Sequence, residues 1–495
     1  MTIDEKIDFP EREQVTTSSS SRGAALWKWR AAFIGTGVAF AIAMFLVDDS
    51  IAVGLMGIML MLVLLLAKLP VAIAMAVPSL IGLYALLGTR AVEGALSSVP
   101  FDATAEWSLS VLPMFIMMGY VLQRSGITSE IYRAASAWIG WMPGGLGIAT
   151  NVAGAGMATV SGSSMATTFT LARVGLPEML SRGYDRRVAL GSVAFASLAG
   201  NLIPPSLLLV LYAGAAGVPV GPQLMAGLVP GFIIVAATCL LILVVGRMWP
   251  RLVGRESGSP GGEAQVDWRD RWQSLRAVWP LPVLIVLVLG SMYTGIFTAT
   301  EAAAAGALAS VVLTMILRRN QSVGIVATAA TESVRTLGSI FFLLAGAALL
   351  NRLLTTSGLA SAFSEWVAGA GISRVQFILL LLVAYLIMGM FLESVTMMLV
   401  TVPVLLPILT EMGIDPIWFG VFVVLVAEIG MLSPPVGILS FIIYGITREP
   451  EINRGRRITL TDVFVSVLWF MPAVVVLLAL LIAFPGLATW LPNGM

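Results

Sequence analysis

Apolar runs long enough to cross a bilayer recur along almost the whole chain, separated by short polar stretches. The pattern predicts spanning segments at 27–47, 51–67, 71–88, 109–123, 188–216, 228–246, 280–297, 300–317, 336–352, 416–446 and 463–487. Four amphipathic stretches, 89–106, 128–141, 322–335 and 355–370, are placed along the interfaces. The polar, Ser-rich residues 1–26 read as a disordered cytoplasmic tail, unlike a secretory signal, which is basic and then apolar. Residues 251–279 read as a cytoplasmic linker with a Gly/Ser/Pro centre.

The special residues of the two halves coincide when the sequence is shifted by 230 positions. Pro177 falls on Pro407, Gly183 on Gly413, Asp185 on Asp415, Gly200 on Gly430, and Pro204-Pro205 on Pro434-Pro435. "GNLIPPS" is thereby matched by "GMLSPPV". A double proline and a Gly-x-Asp in one register are costly coincidences, so an internal repeat is predicted over 51–250 and 281–490.

Charge orients the repeats. Arg182, Arg186 and Arg187 follow Pro177, whereas the matching turn carries Glu411 and Asp415; downstream the bias reverses, with Arg448, Arg454, Arg456 and Arg457 in the second half. Opposite bias at matched positions means opposite sides of the membrane, so the repeat is inverted. Two regions left over, 144–180 and 374–410, must each enter and leave on one face, and read as re-entrant helical hairpins. Their tips are "SGSS" and "FLES", and the broken helices beside them are 188–216 and 416–446. The expected fold is an all-α polytopic membrane protein with the N-terminus cytoplasmic and the C-terminus on the opposite side.

Composition narrows the chemistry. Hydrophobic residues make up 58% and charged residues 11%, so a soluble domain is excluded. Histidine is absent, which removes His catalysis, His metal sites and His proton relays. The lone Cys239 lies in an apolar helix and forms no intrachain disulfide. Net charge is +1 with no basic stripe, so no nucleic-acid partner is expected. No Walker A or Ser/His/Asp set appears, which leaves an ion gradient rather than ATP as the energy source.

Polar residues interrupt the apolar pattern at the tips and at the breaks: Ser161, Ser163 and Ser164; Asn201 to Ser206; Glu393 and Ser394; Ser433 to Pro435. Broken backbone and hydroxyls together supply neutral oxygens, which suit a monovalent ion such as Na⁺ better than a divalent one. Kinks and small-residue packing explain the same residues singly; their recurrence in register favours binding. Arg173 either attracts a substrate carboxylate or snorkels to the interface. Glu393 either binds a cation or accepts hydrogen bonds from its own tip. Glu428 is read as holding the second break in shape, Asn201 as a ligand or a bridge across the first. Glu301 favours its helix N-terminus.

The blocks "MFIMMGYVLQRSGI", "SGSSMATTFTLARVGLPEMLSRGYD", "TATEAAAAGAL" and "GIDPIWFGVFVVLVAEIGMLSPPVG", together with "NLIPPS" and "MFLESVTMMLVTVPVLLPI", resemble the large membrane subunit of tripartite ATP-independent periplasmic (TRAP) transporters over about 51–490. The resemblance implies a bacterial inner-membrane, Na⁺-driven importer of organic acids working by an elevator motion. It implies two partners, a periplasmic substrate-binding protein and a small four-helix membrane subunit. It implies two Na⁺ sites: Ser161, Gly162, Ser163 and Ser164 with Asn201, Pro204 and Ser206; and Glu393, Ser394 and Thr396 with Ser433, Pro434 and Gly437. Asn201 and Ala299 depart from the family pattern, and the helix 27–47 is an addition to it. An ion-coupled carboxylate carrier of similar build that needs no binding protein is the alternative.

Overall fold

The computed structural model describes residues 33, 35–254 and 268–494. The tail 1–26, residues 27–32 of the first predicted span and the centre of the linker lie outside the described residues. Among the described residues the regular structure is helical, and six helices are long and apolar enough to cross a membrane, or seven with one bent pair counted as a span. Shorter apolar helices, including Ser50–Leu66, Val71–Leu87 and Pro416–Leu432, account for much of the difference from the eleven predicted spans.

The chain divides into two units. In the unit formed by residues up to Phe101 and Ala345–Ala362, Asp49 caps Ser50–Leu66 by accepting from the Ile51 N–H at 3.2 Å. Leu353, fully buried, fills the space left by Gly57 and Gly82, so small residues set the helix spacing there.

The other unit, Asp102–Leu344 with Phe363–Met495, contains both hairpins and both broken helices. Gly145–Ser161 turns at Gly162, with φ +61°, into Ser164–Ser181. The arms run antiparallel, since a Cβ on Gly175 of the second would lie 3.2 Å from Thr150 Oγ1 of the first. Arg374–Gly389 and Ser394–Glu411 form the second hairpin, tied by a Tyr385–Thr401 hydroxyl contact. The first broken helix is Arg186–Ala196 and Leu207–Ala216 around Asn201–Ser206. The second is Pro416–Leu432 and Ile438–Ile446. Both double prolines carry a cis peptide bond.

The matched motifs have matched local causes. Gly183 and Gly413 take positive φ, +81° and +64°, which ends the returning arm of each hairpin. Two residues on, Asp185 and Asp415 cap the next helix, accepting from Arg187 N at 2.8 Å and Ile417 N at 2.7 Å. Gly200 and Gly430 let each break lie on the outgoing arm of its own hairpin. A Cβ there would sit 2.2 Å from the Ala158 Cβ and 2.7 Å from the Gly389 Cα.

Two segments differ from the sequence expectation. Residues 322–335 and 336–352 are one helix, Ser322–Thr356, with no proline to interrupt it. Glu332, within the stretch expected along the interface, is paired with Arg124. The end of the linker is helical from Trp268 and runs into the next span as far as Tyr293. It is anchored by Trp138, whose Nε1–H donates to the Arg271 carbonyl at 3.1 Å and whose ring meets Trp272 edge-on. Glu301 forms a capping box with Thr298, as its place at a helix start suggested.

Candidate functional site

The hairpin tips and the first break meet around one hollow of about 340 Å³. Ser161 to Ser164, Asn201, Glu393, Ser394 and Glu428 all border it. The facing wall is built by Gly119 and Tyr120 of Val111–Arg124 and by Thr336 and Ser339 of Ser322–Thr356. Tyr120 and Thr336 share a hydroxyl contact of 2.8 Å, which fixes that wall.

At the first tip, Ser161 and Ser163 serve the turn itself. Ser161 Oγ lies 3.0 Å from Thr167 Oγ1, and Ser163 caps the returning arm by accepting from Ala166 N at 3.3 Å. Ser164 points elsewhere: its hydroxyl donates to Glu428 Oε2 while accepting from the Asn201 amide. At the second tip, Ser394 donates to the other carboxylate oxygen, Glu428 Oε1, at 3.0 Å, and also approaches Met431 Sδ at 3.7 Å. The Glu393 side chain makes no hydrogen bond or ion pair among the described residues and borders the hollow, while its carbonyl accepts from Met397 N at 3.0 Å.

The breaks are closed largely by their own hydroxyls. Ser206 donates to the Asn201 carbonyl and caps the next helix through Leu209 N. Ser433 donates to the Ile429 carbonyl at 2.9 Å, and Ser440 to the Leu432 carbonyl at 2.8 Å. Carbonyls that the sequence suggested were free for an ion are thus partly satisfied within the chain.

The two residue groups singled out by sequence are therefore redistributed. The first tip and Asn201 share their hollow with Glu393 and Ser394. Thr396, Ser433, Pro434 and Gly437 do not line it. Pro204 sits in the break, with its neighbour Pro205 on the hollow. Arg173 is not at the hollow; it lies over the Phe169 ring and pairs with Glu449 at 2.6 Å, both side chains about half exposed.

Sequence reading gave Glu428 only a shape-holding part, yet it is the centre of the arrangement. Its signal was available: it is the single charged residue in Pro416–Leu432, where every residue from Trp418 onward is buried. Tyr120, Thr336 and Ser339 carried no comparable signal, because isolated hydroxyls on apolar helices usually serve packing.

The electrostatics are one-sided. Among the described residues two carboxylates border the hollow and no Lys or Arg does. Glu428 is only 2% exposed and has no ion-pair partner among the described residues. Hydroxyl donors help a buried carboxylate but do not cancel its charge, and an uncompensated buried charge costs several kcal/mol. The site is suited to accept positive charge. Among the described residues no three His, Cys, Asp or Glu side chains gather, so the donor set does not match a multidentate divalent site.

Comparisons with known proteins agree with this architecture. Residues 58–487 match the family model described as the tripartite ATP-independent periplasmic transporter, DctM component. The C4-dicarboxylate TRAP transporter large permease of Rhodobacter capsulatus is 30% identical over 449 residues, covering 88% of this chain and 97% of that protein. The corresponding permease of Pseudomonas aeruginosa is 32% identical over 379 residues, 76% of this chain and 86% of its own length. Among solved structures, the Alcanivorax borkumensis YdaH transporter superposes with a TM-score of 0.59 at 15% identity, covering 81% of this chain and 91% of that one. That likeness concerns the fold alone.

Proposed function

The chain belongs to the DctM component family of tripartite ATP-independent periplasmic transporters, and from that premise we propose that it is the permease of a sodium-coupled importer of carboxylated small molecules. It is a multi-pass membrane protein, and small organic acids are the substrate class its family membership supports. In this reading it sits in the inner membrane with its N-terminus cytoplasmic. It works with a small four-helix membrane subunit and a periplasmic binding protein that delivers substrate. The hairpins and broken helices move together as an elevator against the remaining helices.

The observation that carries the reading is the acidic, base-free hollow at which both hairpin tips converge. An organic anion entering such a hollow is repelled unless cations have arrived first. Sodium bound at the tips offsets Glu393 and Glu428, and the anion then meets a neutralised site. Cation first, anion second, is the order that gives coupling.

Uptake into proteoliposomes holding this chain and its small subunit tests the proposal. Accumulation is expected only with the binding protein outside and an inward Na⁺ gradient. Uptake undiminished without the binding protein selects the alternative, a carrier that works alone. Uptake indifferent to the gradient contradicts sodium coupling.

A further inference from the structure

Ser164 and Ser394 are equivalent in the repeat, being 230 positions apart. So are Asn201 and Met431, and each lies against the serine of its own half. The hydrogen bonding thus follows the internal symmetry up to one residue. The position equivalent to Glu428 is Leu198, which is buried and apolar. A single carboxylate, supplied by one repeat, receives the equivalent hydroxyls of both, one on each oxygen.

A second observation points to the same place. The Asn201 side chain is 2% exposed and borders the hollow, its amide donates to Ser164, and its Oδ1 has no hydrogen-bond partner among the described residues. A buried carbonyl oxygen left without a donor is uncommon and destabilising. A donor or a cation is what it lacks. Met431 at the equivalent position offers only a thioether, so this free oxygen also breaks the symmetry.

We propose that Glu428 is the shared anionic anchor of a monovalent-cation position between the two tips, completed by Asn201 Oδ1, and that both tips respond together to its occupancy. The ligand class is an alkali cation: one positive charge, a carboxylate, and neutral amide and hydroxyl oxygens. When the cation takes a share of the carboxylate, the hydroxyl bonds from Ser164 and Ser394 weaken or turn together, because they end on the two oxygens of one group. The proposal rests on the sodium-coupled reading for the identity of the ion, and on the hydrogen bonding for the linkage.

The test uses the full chain with its small subunit in lipid nanodiscs. Cation binding is read as a thermal shift in NaCl, LiCl or KCl against choline chloride at constant ionic strength. Glu428→Gln keeps the shape and removes the charge, and is expected to raise the half-saturating Na⁺ concentration at least about tenfold, the loss of a charged hydrogen-bonded contact. Asn201→Leu is expected to weaken binding by a smaller factor. Ser164→Ala and Ser394→Ala are combined in a double-mutant cycle on Na⁺ affinity. Their effects are expected to be non-additive with Glu428 present and additive in the Glu428→Gln background.

Wild-type affinity in Glu428→Gln overturns the proposal, as does additivity of the serine pair with Glu428 in place. Should Glu428→Gln not fold, the serine cycle alone decides. Coupled serines in a carrier whose uptake ignores the Na⁺ gradient refute the sodium reading alone. Additive serines in a Na⁺-driven carrier refute this inference alone.

Discussion

The hydroxyls of Ser164 and Ser394, one at each hairpin tip, end on opposite oxygens of the same carboxylate, that of Glu428. Neither serine reaches the other. Each is buried, at 5% and 2% exposure, so both bonds are made away from water. The tips are therefore joined through a third helix, and a change at one has a route to the other.

Removing one donor leaves the buried carboxylate less satisfied. Ser164→Ala or Ser394→Ala is expected to destabilise the cation-free protein by about 1–3 kcal/mol, the usual cost of losing a hydrogen bond to a buried charged group. Thermal unfolding in choline chloride reads this directly. Ser161→Ala, whose partners Ser163 and Thr167 lie within its own tip, is expected to cost less.

Gly200 and Gly430 hold their breaks against the hairpin arms. Gly430→Val has no room, since the nearest atom is the Gly389 backbone rather than a movable side chain. Overpacking of this kind costs about 1–3 kcal/mol or more. Loss of monodisperse protein in size-exclusion chromatography is the expected result, and Gly389→Val is expected to behave alike.

Asp185 and Asp415 cap equivalent helices with nearly equal bonds. Asp415→Ala is expected to cost about 1 kcal/mol, as removal of an N-cap does. Asp415→Asn, which retains a capping oxygen, is expected to lose much less. Asp185→Ala and Asp185→Asn are expected to behave alike, and a melting-temperature series of these four variants checks both the size and the equivalence.

Arg173 belongs to an exposed ion pair with Glu449 and does not border the hollow. Exposed pairs are worth about 0–1 kcal/mol. Arg173→Gln is expected to leave half-saturating Na⁺ unchanged and stability nearly so. A large fall in substrate affinity without either change would assign Arg173 to the anion.

Much of this was readable in the residues. The double prolines, the Gly-x-Asp turns and the Ser-bearing tips are local signals with local causes: a missing N–H, a positive φ, a capping carboxylate. They located both breaks and both hairpins. What sequence could not reach is convergence across 264 residues, which brings Ser164 onto Glu428. A lone Glu in an apolar run announces burial, not its partners. For the same reason Arg173 stood out by residue type, while the contact that engages it, Glu449, lies 276 positions away.

Helix boundaries failed where pattern and continuity disagree. The amphipathic pattern of 322–335 placed it along the interface. The chain instead continues unbroken to Thr356, because Glu332 finds Arg124 and nothing in the backbone forces a stop.

In the proposed mechanism, cation binding at the tips drives uptake. Its most direct measurement is the steady-state accumulation ratio of an organic acid in proteoliposomes containing both membrane subunits and supplied with the binding protein, as the imposed Na⁺ gradient is varied. The ratio is expected to rise with the gradient in the wild type and to flatten in Glu428→Gln. A wild-type ratio that stays constant as the Na⁺ gradient changes would contradict sodium-driven uptake.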